Sequence, residues 1–287
     1  MEKKKLGTWK MLCGVVLAIL ILIVAQVISL AVGNLLVMIG LPAAVGNVAA
    51  GALYPVCALG GTAALCKWVL GLSMKVSMEQ CKILKVHIKP LWCAAAVGMP
   101  ILVSAVLILT PGHWECSNLS GSEIGAVVTA AVFFYGLGTG IVEELIFRGV
   151  IMSLLEYRFN KMAAVIVPSV LFGLLHILGN ELDAVSVVQL VAAGSMVGIL
   201  FSLVTYESGN IWNSALIHGV WNMVMIGGIL QIGDTVNESA VYNYVLETKS
   251  FLLTGGDFGV EASAVAVAAY AAAAALAGWR IKCYSRS

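Results

Sequence analysis

Long runs of apolar residues dominate the chain, and polar positions fall mainly between them. Eight stretches, near 11–33, 43–66, 91–110, 124–147, 162–179, 185–206, 211–232 and 258–280, are apolar over about the 20 residues that a helix needs to cross a hydrocarbon core of roughly 30 Å. Membrane strands would show shorter segments of alternating character. The pattern predicts an all-α polytopic integral membrane protein of about eight transmembrane helices. It shows no internal repeat, low-complexity segment or long linker, so residues 1–287 read as one membrane domain.

Composition supports this reading. Of 287 residues 61% are hydrophobic and 11% charged, against roughly 45–50% and 25% in an ordinary soluble domain. The opening "MEKKKLGTWK" and the apolar run after it could pass for a secretory signal. That run exceeds a 7–15-residue signal core and lacks a convincing cleavage site, so it is read as the first helix.

Charge placement sets the expected orientation. Lys3, Lys4, Lys5 and Lys10 precede the first helix; Lys67, Lys75, Lys82, Lys85 and Lys89 follow the second or lie at its end; Arg148, Arg158 and Lys161 fall between the fourth and fifth; Arg280, Lys282 and Arg286 end the chain. With eight crossings, 15 of the 16 basic residues share one side and only Lys249 lies opposite. Basic flanks resist translocation, so both termini are expected in the cytoplasm, as in a multi-pass protein of the cell membrane. The net charge of +1 points to no nucleic-acid partner. The seven cysteines follow no metal-like spacing and read as small hydrophobes; Cys283 lies too far from the end for a prenylation box.

An ionisable residue inside an apolar helix is costly and marks a functional site by default. Three places qualify: Glu143, Glu144 and Arg148 in "EELIFR"; His176 in "FGLLH"; His218 and Asn222 in "HGVWN". Glu144 and Arg148, four apart, share a helix face and can pair, which leaves Glu143 to face a cavity; His218 and Asn222 share a face by the same spacing. Gly136, Gly138 and Gly140 allow close helix approach. A turn near Phe159 would put Glu144 and His176 at similar height, roughly 22–25 Å away, and the three places are expected to converge in the cytoplasmic half of the bilayer. Each residue has a plainer reading. Arg148 alone is a positive-inside anchor, a lone histidine is interhelical glue, and a Glu pair near a helix end is a solvated cap. Their conjunction favours a site. His87 and His113 read as surface residues.

These three motifs, in this order, resemble the CPBP family, which includes the CAAX-processing endopeptidases of the Ras-converting type and their bacterial relatives. The resemblance covers about 124–230, the expected catalytic core. It implies an intramembrane endopeptidase whose site opens towards the cytoplasm and whose partners are the lipid bilayer and a membrane-associated or lipidated peptide. On the matching positions, Glu143 would be the general base that activates water, assisted by His176; His218 and Asn222 would stabilise the oxyanion; Glu144 and Arg148 would support them. Two mechanisms stay open: a metal-independent glutamate mechanism, which Asn222 favours, and a Zn2+ site in which His176 and His218 with a glutamate are ligands. A non-catalytic scaffold or bacteriocin self-immunity protein of the same fold is the main alternative. A proton-coupled transporter is a further one, disfavoured by the lack of repeated halves.

Overall fold

The computed structural model describes residues 7–71 and 76–284. Lys3, Lys4, Lys5, Lys75 and Arg286, which entered the expected orientation, lie outside them. Helices α1 (Thr8–Met38), α2 (Ala43–Leu70), α3 (Pro90–Ile108), α4 (Gly121–Arg158), α5 (Lys161–Leu175), α6 (Ala184–Ser208), α7 (Trp212–Met225) and α8 (Ala264–Tyr284) follow the expected apolar stretches. Six of them, all but α5 and α7, are long and apolar enough to cross a membrane. With 15 and 14 residues, α5 and α7 are shorter than about 20.

The packing follows membrane rules. On α1 the buried residues are mostly small, Gly14, Ala18, Ala25, Ser29 and Gly33, at helical spacing, while Val16, Leu20, Ile23, Val24 and Val27 point outward. Small residues let backbones meet where the surrounding solvent is itself apolar. A methyl group on Gly33 would lie 2.7 Å from the carbonyl oxygen of Gly46 in α2, so the two helices touch there.

One departure from the all-α expectation is a three-stranded sheet built from connecting segments. β1 (Gly112–Cys116) pairs antiparallel with β3 (Tyr242–Leu246), and β2 (Leu230–Gly233) pairs parallel with β3. The seventh and eighth apolar stretches are redrawn accordingly: α7 ends at Met225, residues 230–233 become a strand, and α8 begins at Ala264.

Chain direction gives the bundle two distinct ends. The start of α1, the α4–α5 turn, the α6–α7 turn and the end of α8 share one end with the segment before α3. Arg158 Nε donates to Thr8 at 3.1 Å, Lys82 Nζ lies 3.7 Å from Glu156, and Lys89 Nζ lies 3.0 Å from Glu207. The sheet, the α5–α6 loop and the segment before α8 form the opposite end.

Candidate active site

The long helix α4 is wound unevenly where it carries the glutamates. Residues Ala130–Thr139 and Leu145–Ile151 are π-helical, with the α-helical turn Gly140–Glu144 between them. Such wide turns are often found at functional sites. Glycines bring α7 against this segment: a Cβ on Gly140 would lie 2.6 Å from Gly219 Cα, and one on Gly219 would lie 2.7 Å from the Gly136 carbonyl. The expected role of Gly136 and Gly140 is met by this contact. It sets His218, one residue before Gly219, beside the glutamates.

The buried pair forms as the spacing predicted. Arg148 Nη1 donates to Glu144 Oε1 at 2.8 Å, and neither side chain has any exposed surface. Arg148 Nη2 donates to the carbonyl of Gly198 in α6 at 3.1 Å, and the guanidinium lies over Phe172 and Phe201, 4.8 and 5.2 Å from the ring centroids. These contacts offset part of the cost of a charge removed from water.

Glu144 has a second partner that spacing could not reveal, since His218 Nδ1 lies 3.1 Å from the same Oε1. An ionised carboxylate only accepts, so Nδ1 carries the proton. The His218 ring stacks on Phe201 at 4.9 Å, and its Nε2 lies 3.7 Å from Glu143 Oε2. His176 is fixed differently. It caps the end of α5, and its Nδ1 lies 2.8 Å from the Phe172 carbonyl. A carbonyl oxygen also only accepts, so Nδ1 carries a proton and Nε2 is the nitrogen left for other partners.

Glu143, His176, His218 and Asn222 all line one cavity of about 350 Å³, together with Tyr135, Asn180, Phe258 and Glu261. Asn222 donates to the Tyr135 carbonyl at 3.2 Å, which leaves its second N–H uncommitted by that bond. Among the described residues Glu143 Oε2 has no hydrogen-bond partner, although it is buried. His87 and His113 are exposed, as expected, and do not line this cavity.

Glu261 was absent from the sequence-based candidates because it falls where an apolar helix was expected to run. It sits in the segment before α8, and burial pushes its carboxyl up to about 7. His176, His218 and a hydrogen bond with Trp221 oppose that rise. Tyr270 Oη donates to the Glu261 carbonyl at 3.2 Å, which fixes the segment on α8.

The zinc alternative finds no ligand set. Among the described residues no three His, Cys, Asp or Glu side chains are grouped so as to hold a metal ion.

Residues 125–224 match the family model described as Rce1-like, type II CAAX prenyl endopeptidase. This segment is Rce1-like. It carries Glu143, Glu144, Arg148, His176, His218 and Asn222 and ends before Glu261. No curated protein matches the chain. Six helices long and apolar enough to cross a membrane accompany this match, as in a multi-pass membrane protein.

Proposed function

We propose that this Rce1-like protein is an intramembrane endopeptidase that hydrolyses a peptide bond of a membrane-associated substrate with water activated by Glu143. The observation that carries the reading is the single cavity that gathers a Glu143 oxygen with no hydrogen-bond partner among the described residues, two histidines each held through Nδ1, and the Asn222 amide.

Each residue has a task that follows from its surroundings. Glu143 takes the proton from water, helped by His176, whose Nε2 can accept a proton while its Nδ1–H stays on the Phe172 carbonyl. Attack on the scissile carbonyl then places negative charge on its oxygen. Asn222 supplies an N–H towards that charge. His218, held through Nδ1 on Glu144, supplies a second donor when its Nε2 carries a proton. The proton gained by Glu143 passes to the leaving amine as the carbon–nitrogen bond breaks. Glu144 and Arg148 act as positioning residues behind His218.

The test is cleavage of membrane-associated peptides by purified protein in heavy-oxygen water. Hydrolysis puts one heavy oxygen into the new carboxyl terminus of the product. A purified, folded protein that leaves every presented peptide intact, whether lipidated or not, would contradict the proposal and favour the scaffold or immunity reading.

A further inference from the structure

One carboxyl group of the cavity takes no part in the reaction described for Glu143. Glu261 lines the cavity with Glu143, His176, His218 and Asn222, yet it falls outside residues 125–224, which match the family model. Its position is fixed from two helices. From α6, Gln189 Nε2 donates to the Phe251 and Ala262 carbonyls at 2.7 and 2.8 Å, and Ser186 Oγ accepts from the Asp257 N–H at 3.0 Å. From α8, Tyr270 Oη donates to the Glu261 carbonyl at 3.2 Å. Gly255, Gly256 and Gly259, all with positive φ, let the chain fold tightly before the short turn Val260–Ala262. A segment held at these points presents Glu261 to the cavity as a fixed group.

Two other buried carboxylates of the protein have basic partners. Glu144 pairs with Arg148 at 2.8 Å, and Glu207 pairs with Lys89 at 3.0 Å and with Arg280 at 2.8 Å. Among the described residues no Lys or Arg pairs with Glu261, and none lines the cavity. A carboxylate removed from water without a cationic partner is costly, which is why burial raises this carboxyl. The titratable groups that face it are Glu143 on α4, His176 on α5, His218 on α7 and the Tyr270 phenol on α8. Of these Glu143 is a second acid, so the cavity is short of positive charge. Aromatic rings complete the setting: Trp221 and Tyr270 meet edge to face at 5.0 Å, and Phe258 lies three residues before Glu261 on the same wall. A carboxylate among such rings suits an ammonium or guanidinium group, which gains from the charge and from the ring faces together.

The same contacts put this acid next to the reacting groups. The Phe258 ring lies 6.3 Å from that of His176, and Trp221, which hydrogen-bonds Glu261, directly precedes Asn222 on α7. A side chain that reaches Glu261 therefore belongs to a residue close to the bond being cleaved. We infer that Glu261, with Phe258, Trp221 and Tyr270 around it, forms a subsite for a cationic side chain, and that the substrate carries a Lys or Arg near its scissile bond. The cleavage preference rests on the peptidase reading of the preceding subsection, whereas binding of the cation does not.

Pools of membrane-anchored fluorescent peptides, random except for a central Lys, norleucine or Glu, separate the two. With the Glu143→Gln protein in detergent, which holds peptides without cleaving them, anisotropy should show the Lys pool bound about tenfold or more tighter than the norleucine pool, as for a buried charge pair, and the Glu pool bound most weakly. Adding Glu261→Gln, which removes charge at constant size, should bring the Lys and norleucine pools together. Equal binding of those pools by the Glu143→Gln protein, binding of none, or a preference that survives Glu261→Gln would overturn the inference. The first comparison needs no change at Glu261, so it decides the case in which that variant is unstable. Among products cut by the parent protein, Lys or Arg should be enriched near the new termini. Cleavage without that enrichment overturns the inference and leaves the peptidase reading intact. Charge-selective binding without cleavage of any pool by the parent refutes the peptidase reading and leaves the subsite standing.

Discussion

Glu144→Gln probes the part of the site that is held together most tightly. The amide keeps the shape of the side chain and removes its charge, so the Arg148 guanidinium, with no exposed surface, loses its counter-charge at 2.8 Å. Breaking a buried ion pair from one side costs about 3–5 kcal/mol. The Gly198 carbonyl and the rings of Phe172 and Phe201 remain, which favours the lower end, about 3 kcal/mol. At roughly 2–4 °C per kcal/mol for a chain of this order, unfolding in detergent should fall by roughly 6–12 °C. Replacing both partners, Glu144→Gln with Arg148→Met, removes the stranded charge and should recover most of that loss. Turnover should not recover, because His218 Nδ1 has still lost its carboxylate at 3.1 Å. A single variant as stable as the parent, or a double variant with full turnover, would refute the reasoning.

Three further outcomes follow from other contacts. Glu261 has a folded pKa of about 7 against an ordinary 4.5, so between those values the folded state binds more protons than the unfolded one and stability falls as pH rises. Glu261→Gln should flatten that fall in pH-dependent melting, and an unchanged slope would contradict it. Gly219→Ala puts a methyl group 2.7 Å from the Gly136 carbonyl and should cost about 1–3 kcal/mol through overpacking, with turnover reduced as His218 is displaced; a variant that melts and turns over normally would show that α4 and α7 do not meet there. Exhaustive chelation should leave peptide cleavage unchanged, whereas activity that vanishes and returns only with added Zn2+ would make His176 and His218 ligands.

Much of this arrangement is legible in the sequence because two periodicities suffice for it. Apolar stretches of membrane length mark the helices, and the spacing of four between Glu144 and Arg148 places them on one face, where they form the ion pair. Other features depend on contacts between distant segments. The strand Gly112–Cys116 pairs with Tyr242–Leu246 across more than a hundred residues, and each strand is too short to stand out from a polar connection. The bond from His218 to Glu144 needs the close approach of α4 and α7 at Gly140 and Gly219, and helical spacing along one helix carries no information about it. Glu261 was hidden because the last apolar stretch was extended over it, when Gly255, Gly256 and Gly259 with positive φ break the chain there before α8 begins.

The most direct test of the central claim is turnover by Glu143→Gln. The substitution keeps the side chain's size and leaves the Glu144–Arg148 pair and the Glu144–His218 bond in place, so melting should stay near that of the parent. Cleavage of a membrane-associated peptide should fall by at least the ~10²–10⁴-fold typical of a lost general base. Normal turnover by this variant, with melting unchanged, would contradict the assignment of Glu143 as the residue that activates water.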